Sequence, residues 1–366
     1  MKWSVALLLA MAAAAAAQAP SRSFDDLSQA AQQAYQAGKE EEAAHLFSDA
    51  VAQKPDWAEG WWAIGMIDYD LDRYEGCRDA LTHMVALDAK AVPGWALLGL
   101  CEFRTKQYDL AFDHLKQAHM LVPAKETGGP LLDMANYHLA MLLTRKGAYE
   151  LAQEVFVQVA LKVQNNPDME FAAGLAALRM PILPTDVPAS QHDLVAMAGK
   201  ALWDLTIKPP DVAETEFQAL VKAYPNAPNV HYFYASFLGG RHPEQCASEY
   251  LAELRVDPDS VPARVQLARR YLVEGKNTEA FKYAQQAVSL SPDSIGAYLA
   301  LAEVQQAGGD YAHALVAYQA AEKLDPISYN IRLYLANAYR AVGRAEDSRR
   351  ELEEYRRLKA EQQNWP

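Results

Sequence analysis

Cysteine is almost missing from this 366-residue chain, which has three, at positions 77, 101 and 246. An odd number leaves at least one thiol outside any pair within the chain, and no Cys-x-x-Cys spacing offers redox or zinc chemistry. Cys77 and Cys246 fall where a small packed residue is wanted, so inert burial is expected of both. A Cys77–Cys101 disulfide is sterically open. Long apolar runs are missing too, once the first residues are passed. Val5 to Ala17 is too short and too rich in alanine for a membrane span. Behind Lys2 it reads as a signal peptide, residues 1–17, cut after Ala17. The alternative frame, Ala17-Gln18-Ala19, puts Pro20 directly after the cut, where proline hinders cleavage. Export to a bacterial periplasm is therefore expected, with no integral membrane span after signal removal.

Basic runs are absent as well. The formal charge is −13, which argues against a nucleic-acid partner. Catalytic motifs are equally scarce: there is no HExxH, no GxSxG, and no P-loop or Rossmann glycine pattern. The histidines are scattered, and His114 and His119, five apart, diverge around a helix and make poor co-ligands for zinc. Glu40, Glu41 and Glu42 sit at an exposed helix start, where they complement the helix dipole. These absences point away from an enzyme, a metal site or a cofactor.

What the chain does have is a period of 34 residues. Gly38, Asp72 and Lys106 share one phase, Ala43, Cys77 and Ala111 another, and the period returns as Gly275, Gly309 and Gly343. Such regularity is the signature of one stacked helical unit. In the first unit Leu27, Ala30, Ala31 and Tyr35 mark a helix face. Gly38 breaks that helix, Ala43, Phe47 and Ala50 mark a second, and Pro55 closes it. Gly65 and Gly99 occupy sites where paired helices approach closely.

The residues Trp95-x2-Leu98-Gly99 and Ala43-x3-Phe47-x2-Ala50-x4-Pro55 resemble the signatures of the tetratricopeptide repeat (TPR) family, and Ala314, Tyr318, Ala321 and Pro326 match again. The resemblance implies an all-α, right-handed superhelical solenoid of stacked antiparallel helix pairs. A first block of about four units is expected over 24–166, broken by an insertion at 124–130. An irregular helix and a proline-marked joint (Pro181, Pro184, Pro188) follow over 167–193. A second block of about five units spans 194–362 and ends in a charged capping helix.

In that family the first helix of each unit lines the concave side. Carried over by phase, the inward positions are Tyr35, Trp62, Met66, Tyr69, Leu100, Phe103, Tyr137 and Met141, with Arg104 and Arg145 nearby. Aromatics with a few arginines suit recognition of a peptide or protein. The competing role for Trp62, Phe103 and Tyr137 is packing between units. The matching positions of the second block (His231, Arg269, Leu272, Leu299, Glu303, Leu333, Asn337 and Arg340) are more polar. Ser28 and Gln32 stand where some relatives clamp a terminal carboxylate, so that clamp is not reproduced. The expected function is a non-catalytic protein-interaction or assembly scaffold of the cell envelope. The alternatives are an envelope-polysaccharide binder or organiser and an enzyme without a motif.

Overall fold

The computed structural model describes residues 22–122, 129–163 and 166–361. The signal-peptide expectation lies outside them, as does most of the 124–130 insertion. Regular structure among the described residues is helical throughout, and the chain forms two compact units, 1–89 and 90–366. The proline-marked joint expected at 167–193 falls inside the second unit.

The first unit holds α1 (Phe24–Gln36), α2 (Glu40–Gln53), α3 (Ala58–Asp70) and α4 (Tyr74–Leu87). Its first helix starts at a capping box. The Ser23 hydroxyl accepts from the Asp26 amide at 3.2 Å, while the Asp26 carboxylate accepts from the Ser23 amide at 3.3 Å, satisfying two helix-end donors reciprocally. Ala31, Ala34, Ala43, Phe47, Ile64 and Ile67 form its core, with Trp57 and Trp61 at the edge.

The second unit begins with α5 (Val92–Arg104), α6 (Tyr108–Leu121), α7 (Pro130–Arg145), α8 (Tyr149–Ala160) and α9 (Pro167–Ala177). Two 3-10 turns, Pro184–Asp186 and Ala189–Gln191, lead to α10 (His192–Ile207) and α11 (Pro210–Ala223). The prolines at 181, 184 and 188 keep this connector from becoming helical. Paired helices then continue as α12 (Val230–Leu238) with α13 (Pro243–Val256), α14 (Val261–Val273) with α15 (Asn277–Leu290), α16 (Ile295–Ala307) with α17 (Tyr311–Leu324), and α18 (Tyr329–Ala341) with α19 (Ala345–Glu361). Within this unit each pair packs on the next, making a stack of helix pairs.

The 34-residue period has a backbone cause. Gly38, Asp72, Lys106, Gly147, Gly275, Gly309 and Gly343 all have φ between 57° and 80°. Each follows the end of a first helix, and the next residue's amide bonds back to the last turn, as in Lys39 N to Ala34 O at 2.9 Å, Gln107 N to Glu102 O at 2.8 Å and Asp310 N to Gln305 O at 2.9 Å. This is the Schellman closure, which favours glycine because a Cβ is strained at positive φ. Asp72 and Lys106 adopt that conformation without being glycine. Arg179 does the same after α9.

Side-chain packing follows the expected phases in part. A Cβ on Gly65 would fall 2.6 Å from Leu81 Cγ, and one on Gly99 2.6 Å from Leu115 Cγ. The contact between α9 and α10 is of another kind. A Cβ on Gly174 would overlap the Val195 carbonyl, and one on Gly199 the Glu170 carbonyl. Here backbone meets backbone, with no side chain between.

The cysteines need one correction. Cys246 is a free buried thiol, its Sγ donating to Ala235 O at 3.3 Å, but Cys77 and Cys101 are both disulfide-bonded.

Candidate functional site

In the first unit, Tyr35 is 40% exposed, and Trp62, Met66 and Tyr69 are partly exposed. All four project from α1 or α3, the first helices of its two hairpins. Tyr69 meets Tyr74 edge-on at 5.7 Å, which braces its ring.

The second unit treats the corresponding residues differently. Leu100 is 2% exposed and Met141 5%. Both drop out of the set a partner can touch, although phase alone places them inward. The reason is lateral packing: α5 lies against α7 and α7 against α9, so each first helix covers part of its neighbour. Phe103 contacts Tyr108 edge-on at 5.3 Å and His138 at 4.6 Å, and Tyr137 contacts His138 at 5.1 Å and Phe156 at 6.3 Å. These two aromatics are therefore part of an inter-helix cluster as well as of the surface. Arg145 lies over the Tyr108 ring at 4.8 Å, and both Arg104 and Arg145 are exposed.

His138 is held neutral inside this cluster. Desolvation pushes its pKa down to about 4, against the opposing hydrogen bond to Met134 O, with Arg104 adding repulsion. Nδ1 donates to that carbonyl at 2.8 Å. Burial likewise pushes the Tyr137 hydroxyl up to about 12. A neutral imidazole and a neutral phenol make this an apolar patch with a cationic rim.

The polar positions further along are largely tied to partners within the chain. Arg269 donates to Glu303 through Nε at 2.9 Å and Nη2 at 3.1 Å. His231 Nδ1 lies 2.6 Å from Glu249 Oε2 and its Nε2 3.0 Å from Pro225 O. Arg340 donates to Asn337 at 3.0 Å. Leu272, Leu299 and Leu333 are partly buried.

Four buried carboxylates were not singled out by the sequence patterns: Asp68, Glu102, Asp204 and Glu253. A signal for two of them existed, since Asp68 and Glu102 lie 34 residues apart in the phase that holds Ala34 in the first unit. Three are hydrogen-bonded. Glu102 accepts from His114 Nδ1 at 2.8 Å. Asp204 is bridged by Lys200 and Lys208, each at 2.9 Å; burial raises its pKa, but those two bonds outweigh it and leave the group below the usual carboxylate range. Glu253 accepts from the Asn229 amide at 2.7 Å and the Tyr232 amide at 3.1 Å.

Asp68 differs. It is 8% exposed, and its charged neighbour Arg73 stands 3.6 Å away while also paired to Glu41. Burial raises its pKa, with Arg73 opposing and Glu41 reinforcing. The carboxylate borders a cavity of about 430 Å³, which His45, Ser48, Arg73, Glu75 and Gly76 also line. Among the described residues no cluster of three or more His, Cys, Asp or Glu is arranged to hold a metal ion, and no helix is long and apolar enough to cross a membrane.

No protein-family model matches the chain, and no curated protein matches it. Among solved structures it is similar to MamA, at 17% identity over 43% of this chain and 92% of that one, with a TM-score of 0.38. It is also similar to MamA residues 41–end from Desulfovibrio magneticus RS-1, at 15% identity over 46% of this chain and 96% of that one, TM-score 0.41. A third likeness is to a chain of the APC/C hetero-tetramer Cut9–Hcn1, at 14% identity over 92% of this chain and 72% of that one, TM-score 0.35. Superpositions this loose assign no partner. The stack of helix pairs rests on the chain's own helices and turns.

Proposed function

We propose that this chain is a non-catalytic interaction scaffold of the cell envelope, a right-handed TPR-like stack that holds a peptide or partner protein on its first-helix side chains. The observation that carries the reading is the exposed aromatic set of the first unit, Tyr35 with Trp62, Met66 and Tyr69. Large, stiff aromatic side chains left partly open on paired helices supply contact area at low entropic cost. In the second unit the surface reduces to Phe103 and Tyr137 with Arg104 and Arg145. An oxidising compartment is supported by the disulfide-bonded Cys77 and Cys101, since such bonds persist mainly outside the cytosol.

The test is affinity capture from the native envelope with the full chain and a Tyr35→Ala/Trp62→Ala double variant. Capture of a defined protein by the first, lost in the second at unchanged helix content, supports the reading. Equal capture by both removes this surface from it. Retention of purified envelope saccharide with no protein partner would favour polymer binding instead.

A further inference from the structure

We infer that the first unit binds a cationic polypeptide segment, with one lysine or arginine side chain entering the cavity between α2 and α4 to reach the Asp68 carboxylate. The inference deepens the scaffold reading and rests on it for the class of ligand, a polypeptide.

Glu102, 34 residues on, provides the internal control. It is buried in the same phase and bonded by His114. The residue corresponding to His114 in the first unit is Ala80, and the one corresponding to Leu110 is Gly76. The first unit thus keeps the buried acid but has no hydrogen-bonding side chain at the His114 position and no side chain at all at the Leu110 position, which leaves Arg73 at 3.6 Å as its charged neighbour. A Cβ at position 76 would fall 2.5 Å from Asp68 Oδ2, so glycine there leaves a notch leading to the carboxylate. Glycine inside a helix costs about 1 kcal/mol relative to alanine, and here the residue sits in the first turn of α4. The Asp68 carboxylate borders the cavity with only the 3.6 Å ion pair to Arg73, and an incoming ammonium or guanidinium would supply charge-assisted bonds.

Charge complementarity selects the occupant. Residues 22–89 hold five Lys or Arg against fourteen Asp or Glu, a net of −9, while the whole chain carries −13. Anionic peptides and nucleic acids are repelled by this field, and basic segments are drawn to it. A second cavity of about 440 Å³ adjoins the first through Ser48, Ile64 and Gly76, and Trp61 stacked on His83 at 4.4 Å flanks it. The aliphatic stem of a lysine or arginine would lie along that apolar stretch while its head reaches Asp68.

Binding of a short fluorescent oligolysine to the full-length chain, read by anisotropy at low and at moderate salt, tests the site. Gly76→Ala closes the notch with no change of charge, and Ala80→His gives Asp68 the internal partner that Glu102 has. Asp25→Asn, on α1, matches the charge change of Asp68→Asn at a distance. Gly76→Ala, Ala80→His and Asp68→Asn should each weaken binding about tenfold, the scale of one charge-assisted contact, and Asp25→Asn less than twofold. Ala80→His should also raise the melting temperature, which shows that its loss of binding is not unfolding. Equal effects of Asp68→Asn and Asp25→Asn, or unaltered binding by both Gly76→Ala and Ala80→His, would overturn the site and leave diffuse charge attraction. Should the oligolysine respond to Tyr35→Ala/Trp62→Ala but not to the notch variants, this inference falls while the scaffold reading stands. No binding by the parent chain at low salt also removes the inference, and envelope capture then judges the scaffold reading separately.

Discussion

The regular hairpins and the α9–α10 pair solve the same problem, two helices side by side, with different contacts. In α5–α6 the small residue Gly99 faces chiefly a leucine side chain, with the Leu115 backbone nitrogen 3.1 Å from where a Cβ would sit, whereas Gly174 and Gly199 face each other's backbone at closer range. Leucine can change rotamer and absorb a misfit. A backbone carbonyl inside a helix cannot move without disturbing the helix. Tolerance therefore differs between the two regions even though both rely on glycine.

The sharpest test of that difference is alanine at each site. Gly199→Ala should cost about 3 kcal/mol or more despite alanine's better helix propensity, because two helices must separate. Gly99→Ala should cost about 1 kcal/mol, and chemical denaturation of the two variants measures both. Similar losses would show that the backbone contact is not special. A second probe asks whether the aromatics of the regular stack pack or stay free for a partner. Phe103→Ala should lower stability by about 2–3 kcal/mol, since its ring touches both Tyr108 and His138. Unchanged melting would make Phe103 a surface residue alone.

The same cluster gives the stack a pH dependence. His138 titrates near 4 when folded, against the 6.5 of an unperturbed imidazole. The unfolded chain therefore binds the proton first, so stability is full above about pH 6.5 and declines as pH falls toward 4. Allowing for the ring's partial exposure, about 1 kcal/mol should be lost by pH 5. His138→Phe should flatten that part of a denaturation-midpoint series between pH 7 and 5. The smallest effect belongs to the turns. Lys106 at φ 60° carries a strain that glycine lacks, so Lys106→Gly should stabilise by about 0.5–1 kcal/mol, whereas Gly275→Ala should destabilise by a similar amount. A stabilising Gly275→Ala would contradict the shared Schellman geometry.

Much of the helix pairing was legible because period, small residues and turn glycines report one local geometry. Gly38, Gly147 and Gly309 mark turns that close within a few residues, and Ala43 and Ala111 are fully buried as their phase requires. The candidate surface was less legible. Leu100 and Met141 share a phase with Met66, yet both are buried while Met66 stays partly open, since phase gives a direction from one helix and cannot say whether another lies there. Phe103 and Tyr137 were open to either role, and their ring contacts weigh toward packing. Asp68 has no signal of its own in the sequence, because what sets it apart is the absence of a hydrogen-bonding side chain at the His114 position, and the significance of Ala80 and Gly76 emerges once Glu102 and His114 are seen together.

The sequence by itself determined where helices begin and end, which faces pack within a hairpin, and the −9 charge of residues 22–89. These are properties of neighbours along the chain, fixed by propensity, capping and spacing. Tertiary structure alone decided that α9 would join α10 across a proline-rich connector, that Cys77 would not be an inert thiol, and that Asp68 would lie buried without a hydrogen bond. Each of those depends on which distant atoms arrive at one place, and close packing, unlike periodicity, has no signature in the order of the residues.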